Sequence, residues 1–459
     1  MDSIMSMEAF VSLLNLKARE FLMERNADVG KDIISKLPDS ILLHILSFLP
    51  IKDVLRTSVL STRWKYLWTS ISNIYFDETS NNFPSGMRAS IRDSVNKVFL
   101  LHDTSSIQKF RLRSRRSVSR SRLNSWVSTA ISHKVEELDL DLPVSPSFKL
   151  PDTLFTSDTL SILKLNMEIV FKVPRFTRFS NLRTLSLRKV KFHGNQYAEH
   201  LFSACLVLQE LVLCKCVLVD TTRITISIPT LRKLEIRHPL PLDYQLYGCC
   251  VTVCAENLIS LSCKSCAVVE LVLSNLSSMK DAYIDEECSG YQDNEFSRRV
   301  IGVLGGMHNV QSLRLSYDTL QCLAREKNLQ ASLPMFHNLS HLKVIKKMYD
   351  YTNEEVLMSF LEKSPNVKTL ELPEVWVKNI FPQCLKSCIK TVSIAHFEGW
   401  YREVLFLKHL LRNSNVLERL TVFCGKDLAR DLRKLNEINH ELQAIHSCEI
   451  EFRKGFKRD

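Results

Sequence analysis

The segments Leu208-Gln-Glu-Leu-Val-Leu213 and Leu231-Arg-Lys-Leu-Glu-Ile236 share one pattern, in which apolar residues occupy the first, fourth and sixth positions. The pattern recurs along most of the 459-residue chain. Its copies start at Val135, Leu160, Leu182, Leu208, Leu231, Leu258, Met279, Val310, Leu339, Val367, Ile389 and Leu417. Their mean spacing is about 26 residues. Single copies arise by chance in so apolar a sequence, but regular spacing does not, so the chain is built from repeats.

Each copy has the pattern of a short β-strand. Its last two apolar residues alternate with other residues, as expected of a strand with one buried face. The spacing lies in the range of leucine-rich repeats, in which stacked copies share a core and no single copy folds alone. The sequence therefore predicts an irregular solenoid with a parallel sheet of short strands, helices on its convex side and a concave face that suits binding of another macromolecule. Because the intervals range from 21 to 31 residues, no contact residue is assigned on that face.

A helical pattern precedes the repeats. Pro38 marks the start of a helix, since its fixed φ angle and missing N–H are tolerated in the first turn, and Pro50 ends it. Two further short helices are predicted over about 52–58 and about 62–70. The apolar residues at helical spacing are Ile41, Leu42, Ile45, Leu46, Leu49, Trp64, Leu67 and Trp68. A module of about 45 residues cannot bury all of these side chains, so some of them should contact a partner.

Composition and charge exclude several classes of protein. The chain carries 61 Lys and Arg against 50 Asp and Glu, and this net charge of +11 is mostly spread evenly, so nucleic acid is not expected as a partner. No apolar stretch reaches the roughly 18 residues of a membrane span, so no membrane partner is expected. The N-terminus contains acidic residues and lacks the features of a secretory signal, which predicts a protein of the nucleus and/or cytoplasm that is not secreted. The 14 cysteines should then be reduced.

Two stretches of the helical module resemble a known family. Ile34-Ser-Lys-Leu-Pro-Asp-Ser-Ile-Leu-Leu-His-Ile-Leu-Ser-Phe-Leu-Pro50 and Thr57-Ser-Val-Leu-Ser-Thr-Arg-Trp-Lys-Tyr-Leu-Trp68 together resemble an F-box of the plant type. The chain departs from that family at 31–34, where an acidic-acidic-Arg run is usual. A strand over 108–112, the segment Trp126-Val-Ser-Thr-Ala-Ile131 and the first repeat then follow in the family's order. Residues 388–420 resemble, more loosely, the FBD domain that closes this architecture.

The resemblance covers nearly all of residues 28–450 and implies an F-box/leucine-rich-repeat/FBD protein. The implied fold class is α/β, with a short three-helix F-box, an irregular leucine-rich-repeat solenoid and an FBD-type C-terminal region. The predicted domains are an N-terminal extension of unassigned role (1–27), the F-box (28–76), a linker with the first solenoid elements (77–134), the leucine-rich repeats (135–375), the FBD domain (376–450) and a basic tail (451–459).

The family implies a function that agrees with two protein-binding surfaces. Its members are non-catalytic substrate receptors of SCF-type ubiquitin ligases, in which the F-box docks on a Skp-type adaptor, and through it on a cullin-RING assembly, while the repeats hold a target protein. Neither a cofactor nor a metal is implied. Carried over residue by residue, the adaptor contact involves Leu37, Pro38, Ile41, Leu42, Ile45, Leu46, Leu49, Val59, Leu60, Trp64, Leu67 and Trp68. About half of these are expected to pack internally, with Leu37, Pro38 and the tryptophans the better candidates for contact.

Other features of the sequence suggest alternatives. A leucine-rich-repeat scaffold that is not coupled to ubiquitination would share the solenoid, but the intact Leu37-Pro38 pair and Trp64 with Trp68 argue against it. The densest basic run, Lys109–Arg122, is interpreted as an exposed loop, a nuclear localisation element or a phosphate-binding patch. The arginines of the nuclear-localisation interpretation are Arg111, Arg113, Arg115, Arg116, Arg120 and Arg122.

Cysteines cluster between Cys249 and Cys266, and the pair Cys263-x-x-Cys266 has the spacing of zinc ligands. Cys263, however, occupies an inward position of its repeat, where cysteine commonly serves as a small buried apolar side chain. The sequence shows no His pair flanking a Glu at metalloprotease spacing and no glycine-rich phosphate loop after a strand, and nothing in it nominates a catalytic triad. We therefore expect neither a metal site nor an enzyme.

Overall fold

A computed structural model describes residues 34–78, 91–102, 107–145, 148–219, 223–237, 240–241, 250–264, 269–286, 294–346, 354–375 and 382–455. The chain divides into two compact units. The first comprises the described residues up to Ile169 together with Phe176–Leu182, and the second comprises Val170–Arg175 and the described residues from Arg183 onward. The predicted N-terminal extension, 1–27, lies outside the described residues.

The first unit begins with the predicted three-helix module. Its helices are α1 Asp39–Leu46, α2 Ile51–Thr57 and α3 Trp64–Leu67. Pro38 and Pro50 stand directly before α1 and α2 with φ angles of −58° and −57°, as the fixed φ of proline favours. The third helix is shorter than predicted because the chain tightens into a 3-10 turn after it.

Parallel strands follow in the same unit. They are β1 Asn73–Asp77, β2 Lys109–Arg113, β3 Glu137–Asp141 and β4 Ile162–Asn166, paired in that order. Helix α4 Ile91–Leu101 precedes β2, and helix α5 Arg120–Ser132 connects β2 to β3. The indole Nε1–H of Trp126 on α5 donates to Asn96 Oδ1 on α4 at 2.6 Å.

The second unit continues the same alternation of strands and connections. Its strands are β5 Thr184–Arg188, β6 Lys191–His193, β7 Glu210–Cys214, β8 Val217–Val219, β9 Arg223–Ser227, β10 Lys233–Arg237, β11 Leu240–Pro241, β12 Cys250–Cys254, β13 Ser260–Lys264, β14 Glu270–Ser274, β15 Asp281–Asp285, β16 Ser312–Ser316, β17 His341–Ile345, β18 Thr369–Leu372, β19 Thr391–Phe397, β20 Arg419–Cys424 and β21 Glu449–Lys454. Its helices are α6 Asn195–Ser203, α7 Asn294–Gly305, α8 Tyr317–Leu323, α9 Leu329–Ser332, α10 Glu354–Glu362, α11 Gln383–Ser387, α12 Tyr401–Asn413 and α13 Leu432–Gln443.

One long parallel sheet dominates the second unit. Its strand order is β5-β7-β10-β13-β15-β16-β17-β18-β19-β20-β21, so each strand pairs with the next repeat along the chain. Two small parallel sheets, β11-β8-β6 and β14-β12-β9, are built from strands in the connections. This architecture confirms the predicted α/β class, with short helices first and a long parallel sheet after them.

The register of the sheet explains why the repeat pattern was detectable. Leu211, Leu234 and Leu261 are partners on β7, β10 and β13, and all three are buried. Every predicted repeat copy ends in such a strand, and its two alternate apolar residues are buried in every copy except the one from Leu208, where Leu213 is half-buried. The strand prediction is therefore confirmed for all copies, including the weaker one that starts at Met279.

Besides the six strands of the two small sheets, strands β1 and β21 were not predicted from the sequence. Strand β1 pairs with β2 and lies largely within the segment assigned to the F-box. Strand β21 pairs with β20 and takes in the first residues of the predicted basic tail, 451–459. The predicted domain bounds stay a prediction. Residues 456–459 lie outside the described part of the chain.

Among the described helices, none is both long and apolar enough to cross a bilayer.

Candidate protein-binding surfaces

The predicted adaptor contacts divide into a buried set and an accessible set. The buried residues are Leu37, Leu42, Ile45, Leu46, Leu49, Trp64 and Leu67. They form the core of the helical module itself, and Leu37, a favoured contact candidate, is only 2% exposed. The accessible residues are Pro38, Val59 and Leu60, with Ile41 and Trp68 partly exposed. The expectation that about half would pack internally agrees with this division.

Sequence reasoning missed two accessible apolar side chains. Phe48 is 61% exposed near the end of α1, and Tyr66 is 64% exposed on α3. The ring of Phe48 meets His44 edge-on at 5.0 Å, and the ammonium of Lys65 lies 5.3 Å from the ring centre of Tyr66. Val59, at 86%, and Leu60, at 66%, are as exposed as these two aromatic residues. The F-box apolar group, as we call Pro38, Phe48, Val59, Leu60 and Tyr66, is thus available to a partner.

Arg63 joins the two segments that carry the F-box signature. Its Nη2–H donates to the backbone carbonyl of Leu37 at 2.6 Å, and its Nε–H donates to Asp39 Oδ1 at 2.7 Å. Asp39 stands in the first turn of α1, while Arg63 directly precedes α3. These bonds bring the Val59–Leu60 turn region to the Leu37-Pro38 start of α1. Arg63 therefore positions two parts of the F-box apolar group.

The exposed strand face of the first unit carries a network of ion pairs. Arg111 on β2 meets Asp139 on β3 at 2.7 Å, while Glu137 meets Lys109 at 3.2 Å and Lys164 on β4 at 3.0 Å. The pKa of Glu137 is lowered overall. Burial raises this pKa, but the hydrogen bond and charge of Lys164 and the charge of Lys109 outweigh the effect of burial. Burial raises the pKa of Asp139, which its arginine neighbours only partly offset. Cations on β2 and β4 therefore pair with carboxylates on β3 across this face.

This network revises the interpretation of the basic run Lys109–Arg122. The run is not one exposed loop, because its first five residues form β2 and its last three begin α5. Arg111 pairs with Asp139, and Arg113 lies 3.8 Å from the same carboxylate. The accessible arginines of the run are Arg115, Arg116, Arg120 and Arg122. A nuclear-localisation role, for which these four remain accessible, stays a prediction.

The exposed face of the second unit has a different charge pattern around β15 to β18. In register across these strands lie Tyr283, Arg314, Lys343 and Glu371. The Arg314 guanidinium lies 5.1 Å from the ring centre of Tyr283 and is exposed. Lys343 Nζ is 3.4 Å from Glu371, which also accepts a hydrogen bond from His341 at 2.8 Å. Two cations therefore stand side by side on neighbouring strands.

The cysteines that the structure describes belong to no metal-binding group. Among the described residues, no group of three or more His, Cys, Asp and Glu side chains is placed to hold a metal ion. Cys263 is buried, in agreement with its predicted inward position, while Cys249 and Cys266 lie outside the described residues. Cys322 is disulfide-bonded, so the expectation that all thiols are reduced does not hold for this residue.

The segment predicted to be an FBD domain contains an internally capped loop. The carboxylate of Glu403, in the first turn of α12, accepts the backbone N–H of Glu398 at 3.0 Å and of Trp400 at 2.9 Å. Burial raises the pKa of Glu403, and these two hydrogen bonds oppose the rise. The adjoining Trp400 and Tyr401 are exposed. The FBD assignment itself stays a prediction.

Comparison with known proteins adds two domain matches. Residues 34–75 match the F-box domain model, and residues 99–451 match the model described as At1g61320/AtMIF1, LRR domain. The second match begins before the first predicted repeat and takes in β2, in agreement with the pairing of β2 and β3.

Several Arabidopsis thaliana proteins are similar over most of the chain. The F-box/LRR-repeat protein At4g14096 is 30% identical over 453 residues, which cover 91% of this chain and 92% of that protein. The F-box/FBD/LRR-repeat protein At4g00160 is 28% identical over 452 residues, covering 93% and 95% of the two chains. The FBD-associated F-box protein At5g22730 is 28% identical over 422 residues, covering 86% and 88%.

Proposed function

The chain belongs to the F-box/leucine-rich-repeat protein family, and from that premise we propose that it is the substrate-recognition subunit of an SCF-type ubiquitin ligase. The domains of this family make it an adaptor for protein–protein interaction. In the proposed role the F-box binds a Skp-type adaptor, through which a cullin-RING assembly is recruited, and the repeats bind a target protein. The chain itself supplies binding and orientation and carries no catalytic step.

The exposed F-box apolar group is the observation that most supports this proposal. Val59 and Leu60 expose large apolar side chains next to a helix start that Arg63 holds in place. Exposed apolar side chains in a small module favour a protein partner, and aromatic residues such as Phe48 and Tyr66 commonly dominate the affinity of interfaces. The buried residues of the predicted contact set would then act indirectly, by keeping the module folded.

The long parallel sheet supports the second half of the proposal. Its solvent-facing residues lie in register on successive strands, so neighbouring repeats combine into one extended surface. Repeat proteins of this kind use such surfaces to bind macromolecules. Target recognition is therefore assigned to the exposed strand face and adaptor recognition to the helical module.

The test is co-purification of the full chain with a Skp-type adaptor, beside a Val59→Asp, Leu60→Asp double variant. Both side chains are exposed, so charge at these positions should disturb the interface without disturbing the core. Loss of two interface residues should weaken adaptor binding by about a hundredfold. Leu206→Asp, at a residue in the second unit that is 60% exposed, is the matched control and should bind like the wild type.

Salt dependence and the wild-type result complete the test. An apolar contact should persist when the salt concentration rises from about 0.05 M to about 0.5 M, whereas an interface between exposed charges is screened. Failure of the folded wild-type chain to bind any of several Skp-type adaptors would contradict the proposal. The protein would then be a repeat scaffold that is not coupled to ubiquitination.

A further inference from the structure

The same tyrosine–arginine pair occurs on the exposed strand faces of both units. In the first unit, the Arg111 guanidinium lies 5.3 Å from the ring centre of Tyr75, and in the second, Arg314 lies 5.1 Å from that of Tyr283. Each arginine is the register partner of its tyrosine on the next strand. In both cases the tyrosine hydroxyl donates to an aspartate two residues on, over 2.6 Å for Tyr75 and 3.1 Å for Tyr283. In both units the guanidinium therefore lies within cation–π distance of the tyrosine ring.

The two tyrosine–arginine pairs differ in the residue that faces the arginine from the next strand, β3 in the first unit and β17 in the second. Asp139 is the register partner of Arg111, and its carboxylate meets the Arg111 guanidinium at 2.7 Å. The corresponding partner of Arg314 is Lys343, a second cation. Like charges directly opposite each other on a sheet are unfavourable unless an anion lies between them. The first site carries its own carboxylate, and the second does not.

Two acidic groups on the strands around Arg314, Glu371 and Asp285, are engaged with other residues. Glu371 binds His341 at 2.8 Å and Lys343 at 3.4 Å, and these contacts hold the pKa of Glu371 below its ordinary value. The carboxylate of Asp285 accepts the hydroxyl of Tyr283 and lies 3.6 Å from Lys264. Among the described residues, none forms an ion pair with Arg314.

We propose that Arg314 is an anion-binding residue of the exposed strand face and that it takes a carboxylate side chain from an acidic segment of the target protein. This inference rests on the proposed function, since it names the chemistry by which the repeats recognise their target. The planar guanidinium can bind a carboxylate through two parallel N–H bonds, and the cation–π contact with Tyr283 restricts its movement. Because cation–π contact does not neutralise the charge, the guanidinium still attracts an anion.

The charge count at this site favours a carboxylate over a phosphate. Glu371 pairs with Lys343, whereas Arg314 forms no ion pair among the described residues, so Arg314 offers one positive charge to a ligand. One carboxylate balances that charge, whereas a phosphorylated side chain carries close to two negative charges. The expected target segment therefore contains Asp or Glu at the position that reaches Arg314.

The test measures peptide binding to the full chain by fluorescence anisotropy. The probe is a labelled six-residue glutamate peptide, and matched glutamine and phosphoserine peptides of the same length are compared with it. Arg314→Gln should weaken glutamate-peptide binding by about tenfold, because a charge-assisted bidentate contact is lost. Arg314→Lys keeps the charge but not the fork of N–H donors, and it should lose most of the affinity as well. Circular dichroism of each variant checks that the fold is retained.

Arg419→Gln is the matched control on the same face. Arg419 is exposed on β20, but Glu449 already pairs with it at 2.9 Å, so this variant should bind the glutamate peptide within about twofold of the wild type. Equal binding by the wild type and Arg314→Gln would overturn the proposal, as would no binding of the glutamate peptide to the wild type. Binding of the phosphoserine peptide more than tenfold tighter than that of the glutamate peptide would overturn the choice of a carboxylate. The measurement needs no adaptor. Its result can therefore be interpreted even if the chain does not act in an SCF-type ligase.

Discussion

At the scale of single residues, Arg63 connects the sequence signature of the F-box to its surface. We predict that Arg63→Ala weakens adaptor binding by roughly tenfold, because the Val59–Leu60 region loses its hydrogen bonds to the start of α1. The free energy of unfolding should fall by only about 1 kcal/mol, since the Arg63–Asp39 pair is exposed. Calorimetric titration with the adaptor and urea unfolding measure the two effects.

Arg56→Ala is the control for this prediction. Arg56 lies in the same module and pairs with Asp53 three residues earlier at 3.2 Å, a contact within one helix that holds no second segment. It should leave adaptor affinity unchanged. Equal affinity of the wild type and Arg63→Ala would show that Arg63 does not position the binding surface.

A second prediction at the residue scale concerns thiol reactivity. Burial raises the pKa of Cys205 and of Cys216 to about 12, so the reactive thiolate is scarce at pH 8. Iodoacetamide should label both residues at least about a hundredfold more slowly in the native chain than in the urea-unfolded chain. The partly exposed Cys388 is the internal standard, and mass spectrometry of time points gives the rates. Rapid native labelling of Cys216 would mean that the core beside β8 opens readily.

The predicted adaptor contacts show which properties of single residues can be predicted from the sequence. Helical spacing correctly identified Leu42 and Trp64 as parts of an apolar module, but both are buried. In a module of three short helices, apolar residues occupy most of the circumference, so periodicity alone does not separate core from surface. The exposure of Val59 and Leu60, which lie between α2 and α3, becomes visible only when the three helices are packed together. Phe48 and Tyr66 were missed for the same reason.

At the scale of elements, the ladder from β2 to β4 predicts a pH-dependent stability. Glu137→Gln removes the carboxylate that faces Lys109 and Lys164, and the free energy of unfolding at pH 7 should fall by about 1–3 kcal/mol. The pKa of Glu137 is lowered in the folded chain, so its contribution is present above its ordinary value of 4.5 and is lost as the pH falls below that value. The difference between wild type and variant should therefore shrink from pH 7 toward pH 4.

Urea unfolding at several pH values measures that difference. Glu136→Gln is the matched control, because Glu136 is the exposed neighbour of Glu137 in the chain, and it should change the free energy of unfolding by less than about 0.5 kcal/mol at every pH. A Glu137→Gln effect that stays constant from pH 7 to pH 4 would contradict the ionic origin of the stabilisation.

The elements also show which features of sequence carry information. The apolar pairs of each repeat lie within six residues, so local spacing was enough to place strands such as β7 and β10. The basic run was harder to interpret, because Glu137 and Asp139 lie 28 residues after their partners Lys109 and Arg111 and meet them only through strand register. Strand β21 escaped detection because its residues are mostly charged and only partly buried.

At the scale of the whole molecule, domain order was predictable and surface chemistry was not. The F-box signature and the repeat period placed the helical module before the sheet, and the domain matches agree. The contrast between the Arg111 and Arg314 sites depends on whether an aspartate or a lysine stands in register on the third strand. Since the repeat intervals vary, sequence alone does not fix that register.

The two proposed interfaces should act independently, and this can be tested in one molecule. Val59 and Leu60 lie in the first unit, and Arg314 lies in the second. Changes at separate sites without shared partners usually add to within about 0.5 kcal/mol. A chain carrying Val59→Asp, Leu60→Asp and Arg314→Gln should therefore lose adaptor affinity as the double variant does and glutamate-peptide affinity as Arg314→Gln does. Calorimetry with the adaptor and anisotropy with the peptide, on the wild type and these three variants, give the coupling energy. A coupling above about 1.4 kcal/mol, equivalent to tenfold in affinity, would mean that adaptor binding and target binding influence each other.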